Sequence, residues 1–132
     1  MKLITRDTDY AVRSLLYIAK AENKLVSTLE VNKELALPRP FMRKILQVLQ
    51  KEGFLFSVKG KNGGFSLAKK PEQIMLIDLM KLFQGEFSLT ECLLQKKVCP
   101  NIKICPIRKK VKNIEKYAFD ELKGISLRIL MG

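Results

Sequence analysis

The hydrophobic period of this chain changes at Gly53, and that change limits what the chain can fold into. Before it, apolar residues recur at helical spacing in three short blocks. After it, Phe54, Phe56 and Val58 alternate, and Phe65 and Leu67 alternate again, around the tip Gly60-Lys61-Asn62-Gly63-Gly64. Alternation about such a tip marks a β-hairpin, with glycines for positive φ. The first block, residues 8–20, sets Ala11, Leu15, Ile18 and Ala19 on one side with Val12 and Leu16 alongside, and Asp7 or Thr8 is its expected N-cap. The second, residues 27–37, starts with Ser27 facing Glu30 three residues on, and Pro38 marks its stop. The third, residues 40–52, tolerates Pro40 in its first turn, carries the stripe Phe41, Ile45, Val48 and Leu49 with Leu46 beside it, and ends at Gly53.

Beyond the hairpin, Pro71 closes the unit and residues 74–84 read as a further helix ending at Gly85. From Pro106 to Leu130 the pattern is again helical, unbroken until Gly124: Ile107, Val111, Ile114, Ala118, Leu122, Ile125 and Ile129 recur every three or four residues. A helix of ~25 residues spans ~37 Å, longer than a small domain covers, and too little apolar surface remains upstream to bury it. It should therefore pack against a second copy of the chain. The expected fold is mainly α with a small β-hairpin. Residues 1–85 form a winged helix-turn-helix DNA-binding domain, 86–105 a cysteine-bearing loop, and 106–132 a dimerisation helix.

Charge suggests the partner. The 132 residues hold 25 Lys and Arg against 13 Asp and Glu, a net +12, which points to a polyanion, most often nucleic acid. Its placement sharpens this reading. A helix about 10–12 Å across fits the DNA major groove. The helix at 40–52 leaves Arg39, Arg43, Lys44, Gln47 and Lys51 on its other faces, with Arg43 forked for bidentate contact to guanine. Lys59, Lys61 and Asn62 in the wing are placed for phosphate or the adjacent minor groove. The first twenty residues lack the apolar core of a signal peptide, and no apolar run approaches ~18 residues, so a soluble cytoplasmic protein is expected, without a membrane partner.

Cys92, Cys99 and Cys105 are the only cysteines, spaced C-x6-C-x5-C, and the second and third precede proline. An odd count in a reducing compartment argues against a disulfide framework, and three thiols on a polar loop suit a soft metal centre. They leave a tetrahedral iron one ligand short, and the chain has no histidine. Zinc would want a fourth nitrogen or sulfur, so the set favours iron–sulfur. Enzyme chemistry is disfavoured. A nucleophilic cysteine lacks a histidine base, paired carboxylates at catalytic spacing are not evident, and no phosphate-cradling glycine motif occurs.

Three segments together resemble one family: TDYAVRSLLYIA near the start, LPRPFMRKILQVLQKEGFLFSVKGKNGGFSLAKKP in the middle, and the cysteine triplet. The chain is similar over nearly its whole length to the Rrf2 family of bacterial winged-helix regulators, most specifically through the wing Ser57 to Phe65. The resemblance implies a homodimeric transcription factor, a repressor, whose cysteines hold an iron–sulfur cluster, 2Fe–2S in preference to 4Fe–4S. DNA binding would respond to nitric oxide, redox or iron–sulfur status. IscR-like members use a histidine three residues after the third cysteine, where this chain has Arg108. NsrR-like members take an aspartate from the partner's first helix, and the matching position is Asp9. Asp9 also suits a helix dipole and a pair with Arg13 one turn on. Asp7, Glu91 or an exogenous small molecule are the other candidate fourth ligands. The alternative within the family is a cluster-free repressor whose thiols, near Lys96, Lys97 and Lys103, sense oxidants directly.

Overall fold

The computed structural model describes residues 2–22, 24–89, 100–101 and 103–132. Three helices come first: α1 (Arg6–Lys20), α2 (Thr28–Leu35) and α3 (Arg39–Lys51). Strands β1 (Leu55–Val58) and β2 (Gly64–Leu67) follow, then a single 3₁₀ turn at Pro71–Gln73 and helix α4 (Leu76–Gln84). The last elements are α5 (Pro106–Leu122) and α6 (Leu127–Leu130). This is the expected class, mainly helical with a two-stranded antiparallel hairpin.

Helix α1 begins earlier than its sequence suggests. Its N-cap is Thr5, not Asp7 or Thr8, and the Thr5 hydroxyl accepts the Thr8 amide. Thr8 itself is buried on the same face as Ala11, Ser14, Leu15 and Ile18. Ser14 is satisfied there because its hydroxyl donates to the Tyr10 carbonyl at 2.7 Å, with the Met42 sulfur 3.3 Å away. Ser27 caps α2 as expected, its hydroxyl accepting the Glu30 amide at 3.1 Å. The helix stops at Ala36, which takes the left-handed conformation (φ 53°, ψ 45°) and turns the chain through Leu37 and Pro38 into α3. Proline confirms a stop that the backbone has already made.

On α3 the buried residues are Met42, Ile45, Leu46 and Leu49, while Phe41 and Val48 are only half-buried. The apolar stripe is thus rotated from the expected one. Phe41 faces sideways, its ring in T-shaped contact with Tyr10 of α1 (centroids 5.6 Å apart) and under the Arg6 guanidinium. The core lies between α1, α3, the foot of the hairpin and α4, and includes Val26, Val31, Leu55, Ile74 and Leu79.

The hairpin pairs Leu55 with Leu67 and Val58 with Gly64. Val26 adds a bridge on the far side of β2, exchanging two hydrogen bonds with Phe65 at 2.9 and 2.8 Å. The hairpin forms as expected, but burial does not alternate along β1: Leu55 is buried and Phe56, Ser57 and Val58 are all exposed. Phe54 and Leu55 are buried, whereas Phe56 is 60% and Val58 51% exposed. The tip glycines also serve a different purpose from the one expected. Of those at 60, 63 and 64, only Gly60 has positive φ (115°). A Cβ on Gly63 would run into the Val58 carbonyl, and one on Gly64 would stand 2.6 Å from the Val26 carbonyl oxygen. Close backbone approach demands glycine there.

The single helix expected from Pro106 to Leu130 is two helices. Helix α5 has 17 residues and closes at Lys123. Ser126 then caps α6, its hydroxyl accepting the Ile129 amide at 3.3 Å. Between them the chain pairs with the entry to α4: Leu76 N–H donates to the Ile125 carbonyl (2.9 Å) and Leu127 N–H to the Ile74 carbonyl (2.7 Å). Leu127 is buried and α6 packs on α1 and the 3₁₀ turn. Burial of Leu127 stabilises the break.

Candidate nucleic-acid interface and cysteine centre

The helix-turn-helix places α3 with its buried face on α1 and the hairpin, which leaves Arg39, Arg43, Lys44, Gln47 and Lys51 exposed. Lys59, Lys61 and Asn62 are exposed at the wing. A groove of about 450 Å³ runs between the two elements, walled by Gln47 and Gln50 of α3, the cap Ser27 with Thr28 and Leu29 of α2, and Val58 to Gly60 of the wing. Among the described residues the ion pairs lie elsewhere: Asp9–Arg13, Lys81–Glu86, Lys112–Glu115, Asp120–Lys123 and Glu72–Arg128. The cations of α3 and the wing are therefore unneutralised by a carboxylate of their own domain, and Lys59 among them lines the groove. Such an arrangement can hold a polyanion and present amide and guanidinium donors to base edges. Gln50 and Thr28 were not singled out in the sequence, since only the close passage of the wing brings them to the groove.

Of the cysteines, Cys92 and Cys99 lie outside the described residues, as do Glu91, Lys96 and Lys97. Cys105 is free and half-buried, and it is the residue from which α5 starts, with Pro106 in the first turn. The positive end of the α5 dipole beside its sulfur suits an anionic metal–thiolate centre. Among the described residues no three His, Cys, Asp or Glu side chains stand close enough to hold a metal ion. The donor set of three sulfurs without histidine fits iron–sulfur better than zinc on chemical grounds.

Asp9 does not cap α1. Its carboxylate accepts the Arg13 Nε–H at 2.9 Å across the outer face of the helix, with both side chains about half exposed. Surface pairs of this kind contribute about 0.3–0.5 kcal/mol, a tie that a stronger ligand can replace. Asp7 is half-buried in the same turn. No helix among the described residues is long and apolar enough to cross a membrane.

Residues 4–132 match the model of a family described as Rrf2, iron-dependent transcriptional regulator. The chain is 35% identical over 124 residues to an Aquifex aeolicus protein named as an HTH-type transcriptional regulator, covering 92% of this chain and 86% of that protein. It is 33% identical over 93 residues to the HTH-type transcriptional regulator NsrR of Bacillus licheniformis, covering 70% of this chain and 64% of the relative. Among solved structures, CymR, the global cysteine regulator of B. subtilis, superposes with a TM-score of 0.81 at 20% identity, covering 99% of this chain and 97% of that one. T. potens IscR superposes with a TM-score of 0.77, also at 20% identity, over 99% of this chain and 86% of its own. At that identity the structural likeness bears on the fold alone.

Proposed function

Since this chain belongs to the Rrf2 family of transcriptional regulators, we propose that it is a homodimeric repressor whose grip on duplex DNA is set by an iron–sulfur cluster. The observation that carries the DNA-binding face is the set of exposed, carboxylate-free cations on α3 and the wing, the two elements whose Gln47, Gln50 and Lys59 wall one groove. Arg43, Lys44 and Gln47 meet base edges, while Arg39, Lys59, Lys61 and Asn62 hold phosphate or the neighbouring minor groove.

Homodimerisation is supported by α5. Ile107 (73% exposed), Ile114 (60%) and Tyr117 (70%) stand in solvent, Val111 and Ala118 are half-buried, and only Leu122 of that helix is buried. A 17-residue helix with an apolar stripe and so little of it covered calls for a second copy. Two recognition helices joined this way read two half-sites about one or two DNA turns apart.

Cys92, Cys99 and Cys105 hold the cluster, and Asp9 of the other protomer completes it. When bound, the cluster would supply a redox-active iron centre, with three thiolates and one more loosely held carboxylate as its protein ligands. The chain's own residues do the rest. Cys105 anchors the start of α5, Asp9 exchanges Arg13 for a partner contact, and the angle between protomers changes with both.

The test is an absorbance spectrum with iron and sulfide analysis on protein purified without oxygen. Visible bands with matched iron and sulfide are expected. A colourless, metal-free dimer that still binds duplex DNA would transfer sensing to the thiols themselves.

A further inference from the structure

One cation outside α3 and the wing lies against α3, on the side away from the wing. Residues three apart on a helix step round its surface by about 60° each. The row Phe41, Lys44, Gln47 and Gln50 therefore crosses the face that the core leaves free, from one edge to the other. Gln47 and Gln50 end the row in the groove beside Val58 to Gly60 of the wing. Phe41 begins it at the opposite edge, against α1, where the Tyr10 ring meets it edge-on with centroids 5.6 Å apart. Over the Phe41 ring lies the Arg6 guanidinium, its carbon 4.9 Å from the centroid. Arg6 is exposed, and among the described residues no carboxylate pairs with it, Asp9 of the same helix being taken by Arg13.

We propose that Arg6 is a phosphate anchor on the DNA strand opposite the wing, held ready by the Phe41 ring. The inference rests on the reading of α3 as the groove-entering helix, and adds a contact from a helix outside that interface. The major groove is about 12 Å wide, so a helix of about 10–12 Å fills it and meets a phosphate wall on each side. The wing reaches over one wall, and the edge of α3 that carries Phe41 faces the other. An aromatic ring attracts the guanidinium without offering a lone pair in its plane, so the five N–H donors stay open to phosphate oxygens. The ring also restricts the long side chain beforehand, which lowers the ordering cost on binding. Lys44, the next residue of the row, shares that edge, so two cations from two helices face one strand.

The experiment titrates full-length wild type, Arg6→Gln and Arg6→Lys with the preferred duplex and a scrambled one across a salt series. Arg6→Gln is expected to weaken both duplexes alike, about five- to tenfold at about 0.1 M salt, and to lower the salt slope by about one for each protomer bound. Arg6→Lys keeps the charge and should keep the slope. A role confined to the contact between α1 and α3 would move thermal stability and leave the slope alone. Single methylphosphonate substitutions, which neutralise one phosphate at a time, locate the contact. One position should cost wild type affinity and cost Arg6→Gln none. It should lie on the strand opposite the positions that fall silent in Lys61→Ala. An unchanged slope and affinity in Arg6→Gln overturns the proposal while leaving the DNA-binding reading intact. So does a silent position on the wing's own strand, or a preference lost at a single base pair. A wild type that binds no duplex brings down the DNA-binding reading and this proposal together.

Discussion

Ala36 carries the bend between α2 and α3 in a conformation that costs an L-residue about 1–2 kcal/mol. It is exposed, so replacement disturbs no packing. Ala36→Gly is expected to raise stability by about 0.5 to 1 kcal/mol, the relief of strain outweighing the extra freedom of the unfolded chain. A shift of the urea midpoint without a change of slope checks it. Gly64 presents the converse case. Its φ is unremarkable, yet a Cβ would meet the Val26 carbonyl oxygen at 2.6 Å, so Gly64→Ala should lose about 1–3 kcal/mol and loosen the Val26–Phe65 bridge. Urea unfolding and the Phe65 amide shift would show both. These two positions explain what single residues disclose. A glycine-rich tip was legible, but composition cannot say which glycine turns the chain and which lets two backbones meet. The cap of α1 was missed for a similar reason, since Thr5 is held in place by Gln84 from the far end of the domain.

At the scale of elements the division of labour between α3 and the wing is testable. Arg43→Ala should cost about 1–3 kcal/mol on the preferred sequence and relax the preference at one base pair. Lys61→Ala should weaken all sequences alike and lower the salt slope by about one. Titrations on operator and scrambled duplexes across a salt series separate the two. The three short helices, the hairpin and their polar faces were readable because each depends on near neighbours: a 3.6 or 2.0 period, a serine cap, a proline in a first turn. The errors were errors of rotation and length. Met42 rather than Phe41 fills the core, because Ser14 of α1 meets its sulfur while Tyr10 and Arg6 draw the Phe41 ring aside. Phe56 and Val58 stand exposed on the wing, as does Ser57 between them. Nothing local distinguishes an inward strand face from an outward one. Of the four proposed cluster donors, only Cys105 and Asp9 fall within the described residues, and the second is held by Arg13.

For the molecule as a whole, α5 is the element with least stake in the core. Ile114→Glu should abolish the dimer while leaving a folded monomer, because Leu122 is the only residue of α5 that is buried. Sedimentation velocity with circular dichroism would show a halved mass and an unchanged helical signal; an intact dimer would send the interface elsewhere. The helical repeat continuing past Gly124 concealed the break after α5, since Ile125 and Ile129 keep the spacing although the axis changes. Pairing of Ile125 and Leu127 with Leu76 and Ile74 encloses α4, the cysteine segment and α5 in one long loop of chain. During synthesis the edge of α4 therefore emerges well before the residues that complete it, and the DNA-reading body must wait, unclosed, for α5 to be made. The last contact to form is one that the first half of the chain cannot make alone.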